Sequence, residues 1–424
     1  MIRRALLLAC LLALLAPGAA VAGEPDALAP SYDVDLQGSN GGFRWTGRVT
    51  LAVSNPDATP LGRLWVRLWG NGVNRCRAPS VRITAVTGAT AGAQAVNCTA
   101  VPLALTLPIP PGGRGTVSLD VDIRVPRVID RFGVGGRGVA LLSNALPVLA
   151  HREGGRWRLD RWFPIGEAWT YPAADWRVRL RAPRGVALAA PGVLQADGTR
   201  TISKGRDYSW AAGRLRALRA AIRGVAVTVW DARNRPRAES LRVLRIVAAR
   251  LTRLEQLFGL YGWPDLQVVI TGAANMEHTA FIMSSAGDLT LTHELAHEWW
   301  FGSVGDDQAK APWLDEGFAT WAEAAARGRP TGCPRDPLVA RRTTRGVDFF
   351  RSRPFDYVDV YFGGACLLAR IQHRIGRARF RSALRKYAVA HRYGWSTAAD
   401  FRAAMDAAAG STSLADLWRA FRVR

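Results

Sequence analysis

From Tyr32 to about Val229 the chain alternates apolar and polar residues with a period of two. Stretches such as "SYDVDLQ", "FRWTGRVTLAVSN", "LGRLWVRLW", "PLALTLPIP", "GTVSLDVDIRV" and "DWRVRLRAP" show it, with Gly, Pro, Asn and Asp between them. A half-buried strand needs that alternation, because successive side chains leave opposite faces. Short strands with turn residues between them predict an antiparallel β-sandwich or saddle. The texture changes at "DARNRPRAES", Asp231 to Ser240, which reads as a linker. Beyond it, Leu241, Leu244, Val247, Leu251, Leu254 and Phe258 recur at helical spacing, and Gly259 and Gly262 end the run. "DLQVVITG" reads as a strand and "ANMEHTAFIM" as a second one at a sheet edge. Two helices follow, one holding "HELAH" and one reading "WLDEGFATWAEAAARG", joined by a loop from Gly302 to Pro312. From Tyr361 onward the pattern is helical, with Ser396 as an N-cap and Gly410 as a stop. The whole is a multidomain α+β chain: an N-terminal β domain over 23–230, then a mainly helical domain with a small sheet over 231–424.

Residues 1–22 have a different character. Arg3 and Arg4 precede an apolar run from Ala5 to Leu15, and Ala20-Val21-Ala22 stands before Gly23. This is the pattern of a secretory signal peptide cleaved after Ala22, and it implies a secreted or extracytoplasmic protein. Cys10 leaves with that segment. The remaining four cysteines suit an oxidising compartment, and proximity in sequence pairs Cys76 with Cys98 and Cys333 with Cys366. The formal charge is +23, carried almost wholly by arginine, since Lys204, Lys310 and Lys386 are the only lysines. The arginines are scattered along strands and helices, and the densest run, "RRTTR", has no interleaved aromatics. That distribution argues against nucleic-acid binding. It leaves room for a weak association with anionic cell-wall or membrane surfaces.

The candidate chemistry sits in "LTHELAHEWWFG". On an α-helix His293 and His297 are about 40° apart on one face, so both imidazoles can reach one ion. Glu294 falls about 60° from His297, a place for a base beside a metal-activated water. A catalytic zinc takes three protein ligands and keeps one position open. Glu316, at the start of the next helix, supplies a candidate third.

His293, Glu294, His297 and Glu316 thus stand as HELAH, eighteen residues, then "EGFATW" preceded by "WLD". The arrangement resembles the gluzincin zinc metallopeptidases, and specifically the aminopeptidase N family, which includes leukotriene hydrolase. The resemblance implies a thermolysin-like catalytic domain with one zinc per chain, held by His293, His297 and Glu316. Asp315 stands where the family has asparagine. "GAANMEHTAF" matches the family's G-A-M-E-N strand, which implies that Glu277 holds the substrate's free α-amine; His278 and Asn275 depart from that motif. "VYFGGACLLARIQHRIG" matches its V-Y-E-K-G-A helix start, which implies that Tyr361 donates to the oxyanion, with Tyr357 as the alternative and Gly363 replacing the lysine. The family's β domain also brings a Gln or Glu near the amine; Glu167 in "FPIGEAW" lies in the right region without a firm alignment. The implied form has two domains and no large C-terminal helical domain. The implied activity is aminopeptidase action on peptides, with catalytic residues Glu294 and Tyr361. A zinc endopeptidase on the same fold and a non-catalytic secreted binding protein remain as alternatives. Nothing in the sequence sets the oligomeric state or the side-chain preference.

Overall fold

The computed structural model describes residues 28–73, 76–232, 236–272 and 274–424. The signal segment read over residues 1–22 lies outside them, as does most of the stretch up to Leu28.

The period-two stretches form strands as expected. A seven-stranded sheet runs in the order Val193–Leu194, Arg200–Gly205, Ala174–Arg181, Ser31–Ser39, Arg44–Ser54, Arg114–Arg124 and Val81–Thr87. Its neighbours are antiparallel, except that Ser31–Ser39 runs parallel to Ala174–Arg181. In Ser31–Ser39 the residues Tyr32, Val34 and Leu36 are buried while Asp33 is exposed. Two four-stranded sheets complete the N-terminal half, one built on Leu61–Arg67 and Ala100–Ile109, the other on Val139–Leu142 and Trp210–Gly213. Trp45 of the large sheet meets Trp210 of the second small sheet edge-on, with ring centroids 5.6 Å apart, so side chains of the two sheets meet in a common core.

A five-stranded sheet opens the second half, in the order Leu215–Ile222, Val225–Ala232, Asp265–Ile270, Phe281–Ser284 and Met276–His278. Its first two strands precede the junction read at 230/231. The first pairs with the second and the second with Asp265–Ile270, so both belong to the sheet under the helices and not to the sandwich. Their alternation has the same period as the sandwich strands, which is why the sequence pattern shows no break there. "ANMEHTAFIM" also resolves into two strands that fold back antiparallel, leaving Met276–His278 at the edge.

Three helices shape the site: α1 (Arg237–Phe258), α2 (Asp288–Ala296) and α3 (Glu316–Ala326). Helix α2 loosens into a wider turn over Glu298–Ser303, and Trp300 and Phe301 leave helical geometry there. His297 is still helical at φ −63° and ψ −17°, so the four-residue spacing to His293 keeps its helical meaning. Helix α3 crosses the long helix Val358–Ile375 through two glycines. A Cβ built on Gly317 would stand 2.7 Å from the Gly364 Cα, so only glycines allow this approach. The crossing sets Tyr361 against Glu316. A buried arginine ties the halves together: Arg206 donates to the carbonyls of Tyr171, Phe301, Ser303 and Gly394.

Two disulfides, Cys76–Cys98 and Cys333–Cys366, carry the pairing read from the sequence. The second joins the segment after α3 to the helix that bears Tyr361. Among the described residues no helix is long and apolar enough to cross a membrane.

Candidate metal centre

His293 and His297 face each other from successive turns of α2, with ring centroids 4.7 Å apart and planes at 81°. Their Nε2 atoms are 3.0 Å apart. Glu316 Oε2, at the first turn of α3, lies 3.1 Å from His293 Nε2 and 3.5 Å from His297 Nε2. Three donor atoms thus close a triangle. Ligands about 2.0–2.2 Å from a tetrahedral zinc stand roughly 3.3–3.5 Å from one another, so the donor set fits that ion in kind and in spacing.

The tautomer is set from behind. His297 Nδ1 pairs with Asp315 Oδ1 at 2.5 Å, and Asp315 Oδ2 accepts from the Gln308 amide. A carboxylate on Nδ1 keeps the proton there and turns the Nε2 lone pair toward an ion. The contact of Asp315, one residue before Glu316, needs the fold, since its partner is eighteen residues away on another helix. Burial would lower the basicity of the His297 ring, and the Asp315 charge outweighs it, so the ring is held well above the ordinary histidine range. Burial likewise works against ionising Glu316, but hydrogen bonds with His293 and His297 pull its carboxyl below the usual range.

Glu294 and Glu277 stand beside this triangle. Donor atoms of Glu277, Glu294 and His297 all lie within 4.8 Å of one another. Both carboxylates are buried, and burial raises each above the ordinary glutamate range. Oε1 of Glu277 has no hydrogen-bond partner. A buried carboxylate oxygen without a partner is costly unless a ligand completes it. The edge strand that presents Glu277 is clamped from the β half, where Asp207 accepts from the Thr279 amide at 2.9 Å and pairs with His278 Nδ1. His278, the departure from the family motif, therefore points away to Asp207. Nothing in the sequence links these two residues, which are 71 positions apart.

On the other side of the triangle, Tyr361 Oη donates to Glu316 Oε1 at 2.5 Å and its ring stacks on His293. Burial and the Glu316 charge keep its phenol protonated, well above the usual tyrosine range. Tyr357 packs on Tyr361, Phe163 and Phe350, and its hydroxyl has no partner. Of the two tyrosines it is Tyr361 that touches the donor set. Glu167 is buried and pairs with Arg131, whose guanidinium lies over Trp169. Burial lifts the Glu167 carboxyl to about 8, although Arg131 draws it down. Glu167, Arg131, Asn275 and Tyr361 line a cavity of about 310 Å³ that opens to solvent between the two halves.

The fold is that of the two-domain M1 zinc metallopeptidases. A two-domain M1 zinc metallopeptidase variant bound to L-arginine superposes with a TM-score of 0.65 at 20% identity, over 95% of this chain and 94% of that one. The M1 zinc metallopeptidase from Deinococcus radiodurans gives 0.64 at 20% identity over the same shares, and so does a variant of it bound to a Tyr-Ser-Ala substrate. In sequence, the Tricorn protease-interacting factor F2 of Thermoplasma acidophilum is 27% identical over 153 residues, 32% of this chain. That match spans only about a fifth (19%) of the relative's length. No family model matches the sequence.

Proposed function

We propose that this protein is an extracytoplasmic zinc metallo-aminopeptidase that removes N-terminal residues from peptides. The observation that carries the reading is the convergence of His293, His297 and Glu316 on one point, with two buried carboxylates beside it. A purely structural metal would need neither an adjacent base nor a phenol at its open side. His293, His297 and Glu316 would hold one zinc, which supplies Lewis acidity: it lowers the pKa of a water and polarises a carbonyl. Glu294 takes the proton from the attacking water and returns it to the leaving amine. Its raised affinity for protons, a result of burial, suits that exchange. Tyr361 donates a hydrogen bond to the oxyanion as charge develops there. Glu277 accepts from the cationic α-amine and so fixes the chain end one residue from the scissile bond. The signal-like pattern of residues 1–22 and the two disulfides support export. The division of labour is a β unit up to about residue 214 that closes over the amine, and a sheet-and-helix unit that carries the chemistry.

The test is paired. Purified wild-type protein is expected to hold about one zinc per chain and to lose peptide hydrolysis on chelation. Glu294→Gln is expected to keep the zinc and to lose turnover by about 10²–10⁴-fold. Near-normal turnover in Glu294→Gln would remove the assigned base.

A further inference from the structure

The helix Arg377–Ala390 reads RARFRSALRKYAVA, with five basic residues and no acidic one. Arg377 and Arg379 stand in its first turn, where the helix dipole favours negative charge. Arg377, Arg381 and Arg385 follow at four-residue steps, about 40° apart, and like charges so placed repel. Helix α1 packs beside this helix and adds Arg253. The Arg381 guanidinium is drawn below its ordinary range by partial burial and by the charges of Arg377 and Arg253, and its Nε atom is buried with no partner. Acids on the neighbouring helices are already engaged: Glu255 of α1 with Arg223 and the Tyr261 amide, and Asp400 with the Thr397 amide. The sheet of the N-terminal half is built otherwise, with Arg177 on Asp33 and Arg181 on Asp35.

Contacts between the two helices make these residues one surface. Arg385 donates to the Gln256 carbonyl and Arg253 to the Gln256 side chain, both at 3.2 Å. Val389, four residues beyond Arg385, meets the end of α1: a Cβ built on Gly259 would stand 3.8 Å from the Val389 Cγ2 atom. Arg392 closes that end by donating to the Leu260 and Tyr261 carbonyls, at 3.3 Å each. Val389 and Leu260 are 58% and 67% exposed. Two exposed aliphatic side chains thus stand at one end of a stripe of arginines. Alone in water such a face costs stability, because the arginines repel one another and the aliphatic groups stay wet. An anionic lipid surface relieves both: its phosphates neutralise the guanidinium groups, and its headgroup boundary takes up the aliphatic side chains. A soluble polyanion would meet the arginines and leave Leu260 and Val389 wet. We propose that the face formed by Arg253, Arg377, Arg381, Arg385, Leu260 and Val389 docks the protein peripherally on an anionic lipid surface. The inference goes beyond the peptidase reading and does not depend on it.

The experiment is flotation with phosphatidylcholine vesicles, with and without about one-third phosphatidylglycerol, at about 0.1 M salt. Wild-type protein is expected to bind the anionic vesicles at least about tenfold more tightly than the neutral ones, and about 1 M salt to remove most of that difference. Arg377→Gln with Arg381→Gln is expected to weaken binding to the anionic vesicles by about tenfold, and adding Arg253→Gln and Arg385→Gln to weaken it by about 100-fold or more. Arg48→Gln with Arg177→Gln removes as much charge from the paired sheet face as the first variant removes from the helix, and is expected to change binding by less than about twofold. Leu260→Ser with Val389→Ser is expected to cost about three- to fivefold. Relief of repulsion should leave the helix variants melting no lower than wild type, which separates lost docking from lost folding. No preference for anionic vesicles, or equal losses in the helix and sheet variants, overturns the proposal. Full vesicle binding by the Leu260→Ser, Val389→Ser protein, or dextran sulfate bound as tightly as the vesicles, assigns the face to polyanions in general and overturns it too.

Discussion

Two regions of this protein treat carboxylates in opposite ways. On the outer face of the seven-stranded sheet four carboxylates each have an arginine beside them: Asp33 meets Arg177, Asp35 meets Arg181, Asp120 meets Arg48 and Asp122 meets Arg44. Asp122 is buried, but the other three pairs are solvated and each contributes little to stability. Around the donor triangle, Glu277, Glu294, Asp315 and Glu316 are buried within reach of one another, and among the described residues no arginine bonds any of them. Their partners are histidines, a tyrosine and an amide. In a chain with 57 basic and 34 acidic residues, neutralising those four with arginine would have been easy. Under the proposed function, that isolation suits a cation supplied from outside, a metal ion and an ammonium, whereas the surface ladder suits solubility and register.

The comparison can be broken most severely at the metal. His297→Ala is expected to abolish both zinc binding and hydrolysis, read by metal analysis and an anilide assay; retained zinc would move the centre elsewhere. Glu277→Ala sharpens the ammonium half. It leaves a free amine without its carboxylate, so kcat/KM should fall by about 10–100-fold with zinc retained, in line with about 1–3 kcal/mol for a charged buried hydrogen bond. Cys333→Ser with Cys366→Ser removes a link across 33 residues. It should cost about 3–4 kcal/mol in denaturant unfolding, and partial loss of activity would fit a tether on the helix that bears Tyr361. At the other end of the scale, Asp35→Asn on the surface ladder should shift the melting temperature by no more than about 2 °C and leave turnover unchanged. A large effect there would erase the contrast between the two regions.

The β half was legible where one face of a sheet is wet: the alternation of Tyr32, Val34 and Leu36 with Asp33 and Asp35 is the burial pattern itself, whereas Val139–Leu142 and Trp210–Gly213 are buried at every position. The same signal misled at Leu215–Ala232, where a hairpin with the same alternation pairs with Asp265–Ile270 across the apparent junction. The donor triangle was legible because two of its members share a helix face and the third follows at a recognisable interval. Its supports were not. Asp207 behind His278, Gln308 behind Asp315 and the Gly317–Gly364 crossing act through tertiary contacts that no local period encodes. Glu167 was noticed but could not be placed, since its meaning comes from Arg131 and the cavity they share with Tyr361.

The central claim is that the buried acidic interior receives a zinc and a peptide's free amine together. The most direct measurement compares kcat/KM for one peptide with a free N-terminus and for its N-acetylated form, in wild type and in Glu277→Ala. The account predicts a preference of at least about tenfold for the free amine in wild type that largely disappears in Glu277→Ala. Internal cleavage of the acetylated peptide at a rate equal to trimming of the free one would contradict it and establish an endopeptidase instead.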